Sequence, residues 1–223
     1  MPAVESGLSE EFSVGDDRSI TFVKDRLEVS LQPLTAEMLN RQLSSHSNSP
    51  PGFYRENPYQ APVNPYTYGD WKPSGEEEAP ARFSVFLLKV KNYAYPKVRL
   101  DPSTMELTAP NGRRYKTLTL SALTEYYWPY AIAYAGNTHR SFKERESIMR
   151  KTLFTDDVIF SGQEREGFVV FPALDHDVED FEVRIDKMAL RFDYRNQPLE
   201  TVDIPYHFTR EVSYAPEPPA TRQ

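Results

Sequence analysis

Apolar and polar residues alternate with a period of two through much of this chain, the pattern of strands that bury one face. Ile20 and Phe22 alternate with Thr21, and Leu27, Val29 and Leu31 alternate with Glu28 and Ser30. The parity changes at Lys24-Asp25-Arg26, which predicts a turn or bulge. Thr35 then reads as a helix N-cap, with Leu34 and Leu39 spaced for a hydrophobic staple and the helix ending near Leu43. Phe83 to Val90 is nearly continuous in apolar residues, as expected of a central strand buried on both faces. Its Leu87 and Val90, with Val169 and Phe171 of a later apolar run, are the predicted core. Val98–Leu100 and Met105–Ala109 follow. Asn111-Gly112 predicts a type I′ hairpin turn, with residues 113–118 returning antiparallel.

Two stretches break the alternation. Residues 44–80 carry seven prolines with Phe53, Tyr54, Tyr59, Tyr66, Tyr68 and Trp71, so neither helix nor central strand fits. Six large aromatics predict an arm that packs on the body, since each would otherwise leave an apolar face in water. Residues 119–160 read as a helical insertion. Tyr126, Tyr127, Trp128, Tyr130 and Tyr134 crowd around Pro129, and Ser141 with Glu144 forms a capping box ahead of a helix to about Leu153, with Phe142, Met149 and Leu153 on one side.

Alternation then resumes. Residues 167–172 form a buried strand stopped by Pro172. Phe181, Val183 and Ile185 change parity to Met188, Leu190, Phe192 and Tyr194, which places a reversal or bulge at Asp186-Lys187. Residues 195–198 make a turn. Val202, Ile204, Tyr206 and Phe208 share a face, and Pro205 between them predicts an edge position. The expected organisation is a flexible N-terminus over 1–17, one β-sandwich domain over 18–212 that includes the arm and the insertion, and a disordered tail over 213–223.

Composition narrows the function classes. The chain has 223 residues, 39% of them hydrophobic, and a net charge of −7, and no run approaches the roughly 20 apolar residues of a membrane span. Net acidity argues against nucleic acid as a partner, because phosphate neutralisation needs a basic face. The absence of cysteine removes disulfides, thiolate nucleophiles and Cys-ligated metals. There is no Gly-x-Ser-x-Gly, phosphate loop, Gly-x-Gly-x-x-Gly or His-Glu-x-x-His, and no catalytic residue or cofactor is expected.

Val90-Lys91-Asn92, the segment from Leu107 through Asn111-Gly112 to Tyr115, and Gly162 through Gly167 to Pro172 resemble the immunoglobulin-like, telokin-like domains of bacterial secreted proteins and lipoproteins. The similarity spans about residues 82–208. It implies a mainly β fold, an antiparallel immunoglobulin-like β-sandwich carrying the helical insertion and the Pro/Tyr-rich arm. It also implies a non-catalytic module of the periplasm or cell envelope, with a lipid anchor upstream. Residues 44–80 and 119–160 depart from the family pattern, so any particular activity belongs to them.

Candidate sites follow from that division. The aromatics Tyr126, Tyr127, Trp128 and Tyr130 cannot all face inward on one helix, which predicts a partner surface there, joined by Arg140, Lys143 and Arg145 of the basic run and by Tyr66, Tyr68 and Trp71 of the arm. The expected partner is a protein. An exposed planar aromatic row would instead suit a carbohydrate. Asp175, Asp177 and Asp180 form an acidic loop able to offer oxygens to calcium or to serve an uncharacterised hydrolase, although no EF-hand glycine accompanies them and a solvated connection explains them as well.

Overall fold

The computed structural model describes residues 2–3, 11–44, 64–69, 80–133 and 139–210, with side chains except at 2, 3, 44, 130, 132, 133 and 139–141. In chain order the strands and helices are β1 (Pro2–Ala3), β2 (Phe12–Val14), β3 (Ile20–Lys24), β4 (Leu27–Leu34), α1 (Ala36–Ser44), β5 (Phe83–Asn92), β6 (Lys97–Val98), β7 (Glu106–Thr108) and β8 (Arg114–Lys116). They continue with α2 (Leu120–Ala133), α3 (His139–Thr152), β9 (Ile159–Phe160), β10 (Gln163–Pro172), β11 (Asp180–Phe192) and β12 (Pro198–Arg210).

The fold is mainly β and its sheets are antiparallel. One has the order β1-β12-β11-β7-β8 and the other β10-β5-β4-β3-β2, with β6 and β9 pairing separately. The two five-stranded sheets share an apolar core that draws Val29, Leu88, Val90 and Phe171 from one and Leu107, Val183, Ile204 and Phe208 from the other. Tyr206 crosses it, and its buried hydroxyl donates to the Val29 carbonyl at 2.8 Å.

A second core lies on the outer face of the β5 sheet. Register places Val85 between Leu34 and Val170, Leu87 between Gln32 and Phe168, Lys89 between Ser30 and Glu166, and Lys91 between Glu28 and Glu164. Side chains of one parity share a face, so β5 presents Val85 and Leu87 and then Lys89 and Lys91 to the same side. The apolar half is covered by α1, α2 and α3 through Leu39, Leu43, Leu123, Tyr127, Phe142 and Met149. The polar half carries a lattice in which Lys91 pairs with Glu28 at 2.9 Å and Lys89 with Glu164 at 3.5 Å. Val90, Val169 and Phe171 are buried as expected, whereas Leu87 is only half-buried because it sits at the rim of the helical cover.

Local turns follow the sequence closely. Asp25 takes positive φ in the β3–β4 hairpin, Thr35 Oγ1 accepts from the Met38 amide at 3.2 Å, and Lys187 takes positive φ at the parity change, where β11 bulges and runs on without reversing. At Asn111-Gly112 only Gly112 has positive φ, and the Gly112 amide donates to Ala109 O while the Ala109 amide donates to Arg113 O. With Pro110 fixing its own φ, this is a type I turn closed by a glycine bulge rather than a type I′ turn. The N-terminal segment, expected to be flexible, contributes β1, which pairs with the end of β12, and β2, which pairs with β3. Pro205 lies opposite Arg184 of β11 and, as expected, on an edge stretch of β12, since β1 pairs only with Thr209 and Arg210.

Within the arm, residues 64–69 pack on the helices. Asn40 Oδ1 accepts from Asn64 Nδ2 at 3.0 Å and from Thr67 Oγ1 at 2.6 Å, and Asn40 Nδ2 donates to Gly69 O. Tyr66 is 1% exposed, its ring edge-on to Phe168 and its hydroxyl 2.7 Å from Thr152 Oγ1. Phe53, Tyr54, Tyr59 and Trp71 of the expected arm, and the expected tail at 213–223, lie outside the described residues.

Gly167 is where the insertion rejoins the sheet. A Cβ there would lie 2.6 Å from the N and Cα of Phe154, whose amide donates to Phe168 O at 2.9 Å, so only glycine admits the two backbones. Gly167→Ala is expected to lower unfolding free energy in urea by about 1–3 kcal/mol through overpacking, and Phe171→Ala by about 3–5 kcal/mol through the cavity left behind. A Gly167→Ala loss within about 0.5 kcal/mol of zero, the range of ordinary surface changes, would mean that the seam yields freely.

Candidate functional site

Helix α2 begins at a Thr119 cap, where Oγ1 accepts from the Ala122 amide at 3.3 Å. Leu123, Tyr127 and Ala131, spaced by four, are its buried stripe over the β5 sheet. Ser121, Thr124, Glu125 and Trp128 recur at helical spacing on another side. Pro129 has no amide to give the Glu125 carbonyl, and it lies on the exposed side of the helix. Trp128 is 51% exposed, with its ring 5.6 Å from Phe142 of α3 and steeply tilted to it.

Two clefts flank this face. One is lined by Leu120, Ser121, Thr124, Glu125, Trp128 and Arg150. The other, about 280 Å³, lies between α2 and α3 at the β10 edge, with an apolar floor that includes Leu118, Leu153, Phe154, Phe168 and Val170. Its mouth carries the hydroxyls of Ser103, Thr117, Thr119 and Thr155, and Leu120 and Arg150 border both clefts. Arg150 Nη2 meets Glu146 Oε1 at 3.0 Å, while Lys143 Nζ holds Glu146 Oε2 at 2.8 Å. These hydrogen bonds, Lys143's the larger, hold the Glu146 carboxyl below its usual range.

The other predicted aromatics are not on this surface. Tyr127 is 2% exposed, and its hydroxyl donates to the Pro65 carbonyl. The guanidinium carbons of Arg82 and Arg145 each lie 5.2 Å from its ring centre, and Arg82 also lies 4.3 Å from the ring of Tyr68. Burial pushes the Tyr127 hydroxyl up and the Arg145 guanidinium down. Arg145 is thus half-buried toward Tyr127 and not part of an exposed basic face. Tyr66 and Tyr127, expected to meet a partner, are interior because each ring fills the second core while its hydroxyl finds an acceptor or partner inside. Tyr126 stands edge-on to Tyr127 at 86° and to Phe83 at 66°, so the described members of the cluster form no planar row for a sugar. Tyr68 and Tyr126 are at the margin of exposure, Lys143 is exposed, and Tyr130, Arg140 and Trp71 have no described side chains.

The acidic loop is a separate place. Arg113 Nη1 reaches Asp175 Oδ2 at 3.1 Å and Asp177 Oδ1 at 2.5 Å, and the Tyr115 hydroxyl donates to Asp175 Oδ2 at 2.7 Å. Arg210 donates to the backbone carbonyls of Asp175 and Val178, and Asp180 accepts from Thr209 Oγ1 at 2.7 Å. Among the described residues no group of three or more His, Cys, Asp or Glu could hold a metal ion. These carboxylates line neither cleft.

The cleft residues Ser121, Thr124, Glu125 and Arg150 were not singled out as a surface from sequence. Their signal was the helical spacing of 121, 124, 125 and 128, complementary to the apolar stripe at 123, 127 and 131. Arg82 carried no pattern at all. Comparison of the chain with protein-family models, curated proteins and solved structures found no match.

The Arg113 hydrogen bond holds the Asp177 carboxyl below its ordinary 3.8. A carboxyl depressed on folding contributes stability above its unfolded value and loses it as pH falls through the folded one. Asp177→Asn is therefore expected to lower the melting temperature at pH 7, by a margin that shrinks as pH falls below the ordinary carboxylate range. A gap that does not shrink would show that Arg113 does not favour the ionised form.

Proposed function

We propose that this chain is a non-enzymatic interaction module of the bacterial cell envelope, the soluble part of a lipoprotein, with an immunoglobulin-like sandwich as its frame and the helical insertion as its partner-facing element. One observation carries the docking role. The insertion buries Tyr127 and Tyr66 completely yet leaves Trp128 half out of its own helical pair, beside two clefts that join at Leu120 and Arg150. A large aromatic flanked by concave surface is the usual anchor of a protein contact. The two facing antiparallel sheets support the frame, as does Asn92, which ends β5 by donating through Nδ2 to the Tyr95 and Ile159 carbonyls and accepting the Tyr95 amide at Oδ1. Among the described residues no helix is long and apolar enough to cross a membrane. The envelope location and the lipid anchor rest on the family resemblance.

The test is site-specific crosslinking in the native host. A photoreactive phenylalanine at position 128 should give a discrete protein adduct that fractionates with the envelope, while the same group at the well-exposed Tyr194 should not. Adducts at 194 and none at 128 would move the contact off the insertion, and recovery from the cytosol alone would remove the location.

A further inference from the structure

The two clefts differ in a way that specifies an occupant. The one at the β10 edge, about 280 Å³, falls just below the range of about 300–1,000 Å³ typical of small-molecule sites. It suits one large side chain rather than a whole ligand. Its floor is aliphatic and aromatic, while its rim carries the hydroxyls of Ser103, Thr117 and Thr155, which already donate to Asp101, the Pro102 carbonyl and Asp157 and keep lone pairs to accept from the amides on either side of an inserted residue. The neighbouring cleft extends this line past Arg150 to the exposed ring of Trp128.

Charge selects further. Helix α3 carries Arg140, Lys143, Arg145, Arg150 and Lys151 against Glu144 and Glu146, a local charge of +3 in a chain whose total is −7. Glu146 is shared between Lys143 and Arg150, so a single carboxylate serves two cations at the cleft border. A second carboxylate, delivered by a partner, would be met by Arg150 where the two clefts join. Arginine favours such a group because its planar fork can take both oxygens. Glu125 lies on the Trp128 side and does not line the smaller cleft, which puts the partner's acid next to its inserted residue.

Resting on the docking role proposed above, we infer that the joined clefts take an extended acidic peptide segment, with one bulky apolar side chain seated among Leu118, Leu153, Phe154 and Phe168, an adjacent Asp or Glu on Arg150, and the following residues against Trp128. Long-range attraction to the basic helix would speed encounter and make it salt-sensitive.

The probe is a phage-displayed library of random ten-residue peptides selected on the full chain. The expected yield is peptides with Leu, Ile, Met or Phe within about three positions of Asp or Glu, a spacing set by a reach of about 3.3 Å per extended residue. Binding of the best synthetic peptide should fall at least tenfold with Arg150→Glu. It should fall similarly with Thr155→Trp, which fills the mouth from the rim, and with replacement of the peptide's apolar residue by Ala. Lys187→Glu, in the β11 bulge, should leave it unchanged, and circular dichroism melts confirm that each variant folds. If Trp128→Ala abolishes binding while Arg150→Glu and Thr155→Trp do not, docking on the insertion stands and this occupant is wrong. If none of the three has an effect, both fail. Selection of basic or purely aromatic peptides, or of none, overturns the inference.

Discussion

Strand β5 has to satisfy two apolar layers at once, and the arrangement of everything outside the sandwich follows from how its outer face is written. Phe86, Leu88 and Val90 point into the inter-sheet core, while Val85 and Leu87 point the other way. At about 25 cal/mol per Å² of apolar surface, a sheet could not leave Val85, Phe168 and Val170 in water without a cover. The cover is the helical pair with α1 and residues 64–69. It stops where the same parity turns to Lys89 and Lys91, whose partners Glu28, Glu164 and Glu166 are already in the sheet. The position of the helices is thus set by the register of three strands, not by the loops that lead to them.

Tyrosine is the device that fastens these layers. Each buried tyrosine removes a large ring from water and still needs a partner for its hydroxyl, so it ties two elements at fixed distance. Tyr206 ties β12 to β4, Tyr66 ties the arm segment to the end of α3, and Tyr127 ties α2 back to Pro65. Tyr127 also carries guanidinium groups near its ring from Arg82, beside β5, and Arg145, on α3. A cation over a ring retains an electrostatic partner after losing water, and this helps two arginines enter the seam beside one tyrosine. The 14 tyrosines in a chain without cysteine are consistent with this use of polar rivets in place of covalent ones.

Local chemistry was legible in the sequence wherever one residue type answers one backbone demand. Thr35 as a cap, the parity change at Asp186-Lys187 and the Glu146–Arg150 pair read directly. The Asn-Gly turn was placed correctly but typed wrongly, because Pro110 ahead of it fixes the geometry as much as the glycine does. Less legible was anything decided by what packs on what. The continuous apolar run of β5 announced two buried faces, yet Leu87 lies at a boundary that only the extent of the helices defines. The aromatic cluster on α2 was recognised as too large for one face, but which rings turn inward depends on the positions of Pro65, Arg82 and Arg145, which are distant in sequence. The pairing of β1 with β12 depends likewise on contacts across the whole chain.

Among the described residues helix α2 packs on the β5 sheet, on α3 and on residues 64–69, and keeps one side open. The sheet takes Leu123, Tyr127 and Ala131, and α3 meets the edge of Trp128 through Phe142. The open side holds Ser121, Thr124 and Glu125, which water can solvate, together with about half of Trp128, which it solvates poorly. Tyr66, Tyr127 and Tyr206 are buried with a partner for each hydroxyl, whereas Phe160 and Tyr194, like Trp128, stand exposed. What sets Trp128 apart from those two rings is the cleft beside it, and the proposed docking role rests on that pairing of ring and cleft.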